Sequence, residues 1–191
     1  LLERMTRSLF YRGPDAQEIW CGGPVGFGHA LLRTTREASN ERQPAGLGDR
    51  LRIVSDARID ERAELVEKIN AKRERAQEIS VTVPDSELIL HAYDVWEDGC
   101  SEHLLGDFSF AIWDAQKKRL FCARDHFGIK VLYYARVRDT LVFSNDLNTL
   151  RLHPGISSNL CNAAIGDYLL IGTNLHPALT PFEQILRLPP A

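Results

Sequence analysis

The sequence has no apolar run long enough to cross a bilayer, no Cys-x-x-Cys pair, no block of one charge, no internal repeat and no low-complexity tract. The first absence removes any reason to expect a membrane-spanning helix. Its four cysteines, Cys21, Cys100, Cys122 and Cys161, are widely spread and have no histidines at zinc-finger spacing, so a metal site is not expected. Free thiols in a reducing compartment, with the cytoplasm as default, are favoured over a disulfide framework. A net charge of −3 without a basic patch argues against nucleic acid as the main partner. What remains, 44% hydrophobic and 26% charged residues in a chain of 191, describes one globular domain able to bury a full core.

The chain is organised around residues 104–134. Phe108 to Trp113 is aromatic and β-branched with few charges, which suits a strand buried on both faces. Polar Asp114 to Lys118 then ends it, and Arg119 to Ala123 can return antiparallel across that short turn. Between this hairpin and the next apolar run stand Arg124, Asp125, His126, Gly128 and Lys130, a more polar and flexible group than a plain connection needs.

Elsewhere, Leu1, Leu2, Met5 and Leu9 recur at helical spacing up to Gly13-Pro14. Glu18 to Cys21 and Val25 to Leu32 read as two strands about a tight turn, and Thr34 to Gly48 as a long loop. Leu51 to Ser55 is a strand. Asp60 is placed to cap a helix from Glu61 to about Lys72, followed by a charged linker through Glu78. Pro84-Asp85 opens a helix whose Leu88, Ile89, Ala92, Tyr93 and Trp96 form a core-facing stripe, stopped by Asp98-Gly99. Val131 to Val137 and Leu141 to Ser144 form another hairpin about Arg138-Asp139. Helices over Leu147 to Leu152 and Asn162 to Ile171 complete an α+β pattern.

The central stretch also carries a resemblance. Gly106-Asp107-Phe108-Ser109-Phe110-Ala111-Ile112-Trp113-Asp114, then Ala123-Arg124-Asp125-His126-Phe127-Gly128-Ile129-Lys130 and Leu132-Tyr133-Tyr134, resembles the amino-terminal class II glutamine amidotransferase domain of the asparagine synthetase family. Arg12-Gly13-Pro14-Asp15, Gly28-His29, Ala57-Arg58-Ile59-Asp60 with Glu64-Leu65, Asp85 before Glu87-Leu88-Ile89-Leu90, and Ile185 to Pro190 follow in the family's order, so the likeness covers nearly the whole chain. It implies an α-β-β-α sandwich of the N-terminal nucleophile type. It also implies a glutaminase whose nucleophile is an amino-terminal cysteine activated by its own α-amine.

That cysteine is expected before the helix that begins this chain, and none of the four cysteines present matches it; the sequence opens on Leu1 and is read as lacking its first strand and nucleophile. Four glutamine-pocket positions depart from the family pattern. Where the resemblance implies Asn-Gly-Glu the chain has Asp56, Ala57 and Arg58. An Asn there would donate to the tetrahedral oxyanion, and losing one such donor costs about 2.7–4 kcal/mol. An ionised Asp56 only accepts, and it sets like charge against developing charge. Ala57 disfavours a positive φ, if the oxyanion turn needs one. Leu31 stands where the family places the Arg that clamps the glutamine carboxylate, with Arg33 on the same strand face as a partial substitute. Asp85 matches the acidic residue that holds the glutamine amino group.

Plainer readings stand beside these. Asp85 serves equally as a helix N-cap, and Asp56 as a turn stabiliser. Arg124, Asp125 and Lys130 read as an ion-pair cluster holding the Phe127-Gly128 loop, or as a surface for a partner domain, with Arg12 and Asp15 likewise structural. His29 reads as a satisfied buried histidine, and His91 and His126 carry no special claim. The favoured expectation is a disabled glutaminase domain kept in an asparagine-synthetase-like ligase, as in β-lactam synthetases and lasso-peptide cyclases, where the substrate's own amine attacks. No cofactor is expected in this domain. ATP and Mg belong to an ATP-pyrophosphatase domain expected after residue 191, because no Ser-Gly-Gly-x-Asp loop occurs here. The alternatives are a working glutamine-hydrolysing domain with its Cys upstream of Leu1, and a non-enzymatic assembly module. A homo-oligomer is compatible with the sequence.

Overall fold

The computed structural model describes residues 1–73 and 78–190. Its centre is an antiparallel sheet in the order β3 (Ala45–Leu47), β4 (Leu51–Ile59), β5 (Gly106–Asp114), β6 (Arg119–Arg124). Strand β5 is buried on both faces, and alternation explains how. Phe108, Phe110 and Ile112 face a cluster built with helices, while Ala111 joins Val54 and Phe27 in a second cluster on the opposite face. The β5–β6 turn forms because the buried Asp114 carboxylate accepts the amides of Gln116 and Lys117 at 3.0 Å and is paired with Arg50 at 3.0 Å.

Helices α2 (Arg62–Asn70) and α3 (Asp85–Trp96) cover the first face through Leu65, Val66, Ile69, Leu88, Ile89 and Tyr93. A fully buried Leu or Ile side chain contributes about 1.5–3 kcal/mol, so this stripe is a main source of the domain's stability. Several boundaries differ from the sequence expectation. Strand β4 runs on to Ile59, which places Asp56, Ala57 and Arg58 in extended backbone rather than in a turn, and Ala57 needs no positive φ. The Asp60 amide is consequently taken by the Leu105 carbonyl, and Asp60 does not cap α2; Glu61, at φ 48°, occupies the cap position without a side-chain bond. Helix α3 gives way at Trp96 to 3-10 turns over Glu97–His103, before Asp98-Gly99. The stretch from Thr34 to Gly48 holds a 3-10 turn (Glu37–Asn40) and β3 rather than a plain loop. Most of the charged linker lies outside the described residues.

The second β layer comprises the hairpin β1 (Ala16–Gly22) and β2 (Val25–Leu31), and a sheet in the order β8 (Thr140–Ser144), β7 (Tyr133–Val137), β9 (Leu186–Arg187). Phe27, Val54 and Ala111, with Trp20, Trp113 and Phe143 packed around them, fill the space between the layers. Helices α1 (Leu2–Ser8) and α4 (Leu147–Leu150) close the outside, joined by Met5, Leu150, Ala135 and Ile185. Helix α4 is shorter than the pattern suggests but is capped as the sequence allows, Asp146 accepting the Thr149 amide at 2.7 Å. Close approach of α1 to β2 depends on Gly28, where a Cβ would fall 1.9 Å from Thr6 Oγ1. The result is the α-β-β-α sandwich. Helix α5 (Asn162–Ile171) stands outside those layers. Among the described residues no helix is long and apolar enough to cross a membrane. All four cysteines are free; burial pushes the Cys100 and Cys122 thiols up to about 12, whereas Cys21 is exposed rather than buried.

Candidate functional site

Between the β layers lies a cavity of about 590 Å³, lined along β2 by residues 25–30 and along β8 by residues 140–144. Each of these is the outer strand of its own sheet, so two unpaired strand edges border the space. Its polar lining gathers Arg12, from the turn after α1, Asp56, from β4, Asn145, at the end of β8, and His29, from β2.

Strand alternation sends the Asp56 side chain into the cavity and that of Ala57 towards the helix-covered core. The Asp56 carboxylate is then surrounded by donors. Lys130 Nζ lies 2.6 Å from Oδ1, Arg12 Nη2 lies 3.4 Å from Oδ2, and Asn145 Nδ2 donates to Oδ2 at 3.3 Å. Burial alone would raise the Asp56 carboxyl, but the Lys130 hydrogen bond and charge, the Arg12 charge and the Asn145 bond together hold it below its ordinary range. At neutral pH the group is therefore an anion that already engages three donors. It offers no proton to a developing oxyanion, and the Asn145 side-chain amide is turned towards it.

Lys130 reaches Asp56 because the loop before it is braced from both sides. Asp125 accepts the amides of Ile129 and Lys130, each at 2.8 Å, and Arg124 donates to the carbonyls of Gly128, Lys130 and Leu188. The expected ion-pair cluster among Arg124, Asp125 and Lys130 is thus replaced by backbone bracing, with the Lys130 ammonium delivered elsewhere. Backbone amides and carbonyls in so tight a loop need partners, and these two side chains supply them.

The remaining sequence-selected residues disperse. Leu31 is buried at the end of β2, outside the cavity lining. Arg33 falls beyond the strand, its amide bound to Asp15 Oδ2 at 2.7 Å and its guanidinium to the Glu41 carbonyl at 3.0 Å, so it is no replacement for a clamp on the cavity. Arg58 is exposed and pairs with Asp60 at 3.3 Å. Asp85 is the first residue of α3, not its cap, and its carboxylate pairs with Arg62, which also donates to the carbonyls of Val81 and Val83. Burial raises the Asp85 carboxyl against the opposing pull of Arg62.

Three contributors were missed by sequence reasoning: Asn145, Glu41 and Gln43. Gln43 mimics a strand partner, its Oε1 accepting the Ser55 amide at 2.7 Å and its Nε2 donating to the Ser55 carbonyl at 3.1 Å and to Glu41 at 3.0 Å. Ser86 at the start of α3 donates to the same Glu41 carboxylate at 2.5 Å. Paired polar residues within a stretch otherwise read as loop were the available signal. His29 Nε2 meets the Ser55 carbonyl at 3.0 Å and must carry the proton there, because a carbonyl only accepts. Its Nδ1 is buried with no partner, so the histidine is only half satisfied. Burial lowers its pKa, which keeps it neutral at physiological pH.

Among the described residues no cysteine lines the cavity. A family model described as a glutamine amidotransferase domain matches residues 1–191. Among curated proteins the chain is similar to asparagine synthetase [glutamine-hydrolyzing] 3 of Bacillus subtilis, with 29% identity over 100% of this chain and 31% of that protein. It is also similar to a putative asparagine synthetase [glutamine-hydrolyzing] of Mycobacterium tuberculosis, with 33% identity over 70% of this chain and 22% of that protein. The amidase chry2 of Gibberella zeae matches at 28% identity over 87% of this chain and 24% of that protein. The chain thus spans about a third or less of the length of these relatives. Among solved structures, a glutamine phosphoribosylpyrophosphate amidotransferase from B. subtilis aligns with a TM-score of 0.50 at 17% identity over 66% of this chain and 28% of that one. The structure of an allosteric regulatory enzyme of purine biosynthesis aligns with a TM-score of 0.53 at 16% identity over 66% of this chain and 29% of that one. These two bear on the fold alone.

Proposed function

The chain belongs to the glutamine amidotransferase domain family, as the domain found in asparagine-synthetase-like proteins, and from that premise we propose that its glutaminase chemistry is lost. One observation carries the reading: at the position where the resemblance calls for an oxyanion donor stands Asp56, a charged acceptor held by Lys130, Arg12 and Asn145. An oxyanion forming beside it gains no hydrogen bond from Asp56, while Lys130, Arg12 and Asn145 are already engaged by the carboxylate, and removal of one oxyanion donor alone slows reaction by roughly 100- to 1000-fold. Leu31, buried away from the cavity, supports the same reading, because no guanidinium there grips a glutamine carboxylate. The domain then acts as a scaffold for a following ATP-dependent ligase domain, which holds the ATP and Mg, acts on a substrate that brings its own amine, and works in the reducing cytoplasm suited to four free cysteines.

A second reading is favoured by the cavity. The facing edges of β2 and β8 suit an additional strand from residues preceding Leu1, and a nucleophilic cysteine carried on it would sit near Asp56. A diazoketone analogue of glutamine, which alkylates an amino-terminal catalytic thiol, separates the two on the full-length protein. Scaffold function predicts an unchanged intact mass; a single adduct on an amino-terminal cysteine would reverse the conclusion.

A further inference from the structure

Strand β1 has a free edge: it pairs with β2 from Ala16 opposite Leu31 to Gly22 opposite Val25, and no other strand among the described residues bonds to it. Gln17, Glu18, Ile19 and Cys21 are exposed, Ile19 at 40%. Because a two-residue turn, Gly23-Pro24, joins the strands, the closing pair Gly22 and Val25 is hydrogen-bonded, and bonded pairs then recur at Trp20, Glu18 and Ala16. The N–H and C=O groups of Gln17, Ile19 and Cys21 therefore point away from β2. Exposed edges usually carry a lysine, a proline or a bulge that stops another strand from joining. Strand β1 has none of these, and its register with β2 is unbroken over seven residues. Beside it, Arg52 of β4 lies over the Trp20 ring at 5.1 Å, and the Arg52 Nε is buried with no hydrogen-bond partner among the described residues.

We propose that β1 pairs antiparallel with β1 of a second copy of the chain, about a two-fold axis that passes through the sheet at Ile19. That register makes a bonded pair of Ile19 with its own counterpart and of Gln17 with Cys21 of the other copy, which uses all three outward pairs of N–H and C=O groups. It also sets Glu18 of each copy opposite Trp20 of the other, beside the Arg52 guanidinium stacked on that ring, and the axis repeats the contact. Glu18 is the one charged residue of the strand, so no like charges are opposed. Charge complementarity thus selects a second copy over an unrelated strand. The contact is isologous and closes on a dimer instead of growing. A strand pair of seven residues lies at the small end of specific interfaces, so the dimer forms in a concentration-dependent way.

The test follows the molar mass of the full-length protein through a dilution series, beside three variants. Ile19→Pro removes an outward N–H and leaves the bonds to β2 in place, so the hairpin stands while the pairing fails. Glu18→Arg brings like charges together at both contacts. Ile19→Cys, made with Cys21→Ser, puts two thiols on the axis, where a bonded antiparallel pair holds its Cα atoms about 5.5 Å apart and within disulfide reach. Pairing predicts a wild-type dimer that dissociates on dilution, a folded but monomeric Ile19→Pro variant, and a dissociation constant at least about tenfold higher for Glu18→Arg. It also predicts a covalent dimer on mild oxidation of the Ile19→Cys variant. A wild-type protein that is monomeric at every concentration overturns the proposal. So does a dimer that survives Ile19→Pro, because its interface then lies elsewhere. Should Ile19→Pro fail to fold, the cross-link decides, and its absence overturns the pairing.

Discussion

Asp56 matters through the company it keeps. Its carboxyl has a lowered pKa in the folded protein, so the stability it contributes is present above the unfolded-state value near 4 and is lost as pH falls through the lower folded value. Lys130→Ala removes the closest cation from a mostly buried carboxylate and should cost about 1–2 kcal/mol at pH 7. Urea unfolding checks this, with the deficit of the variant narrowing as the pH is taken below about 4. A deficit unchanged across that range would mean that Lys130 acts through packing instead. The sequence singled out Asp56, and it separately singled out Arg12 and Lys130, but their meeting was not legible. Lys130 reads locally as part of its own loop, and only the bracing of that loop by Arg124 and Asp125 turns the ammonium towards β4. Asn145, a single amide at a strand end, gave no signal of its own.

Elements were easier to read where burial imposes a period. Strand β5 and helix α3 follow directly from a dense aromatic and aliphatic run and from a helical stripe, and both lie in the core as those patterns require. Caps and strand ends were not legible, because they depend on which carbonyl from another element reaches an amide first, as Leu105 does at Asp60. Two variants test this level. Leu88→Ala, at a fully buried position on α3, should lower stability by about 2–5 kcal/mol in urea unfolding. Gly28→Ala drives a methyl group into Thr6 and should cost about 1–3 kcal/mol, seen as a lower melting temperature; adding Thr6→Ala should recover part of the loss by removing the hydroxyl that collides. Failure of that second change to help would place the strain elsewhere than the α1–β2 contact.

At the scale of the whole molecule, a cavity between the two β layers is bordered by two unpaired strand edges, and Arg12 and Asn145 of its lining meet at the Asp56 carboxylate. The layered fold and the family were legible because a long ordered set of motifs runs through the chain; the cavity was not, since it arises where two separate sheets face each other. Ammonia release from glutamine by the full-length protein measures the loss of glutaminase chemistry most directly. A domain that has lost its glutaminase chemistry gives a rate no higher than that of a protein-free control, and cysteine-dependent release above that background would contradict the loss.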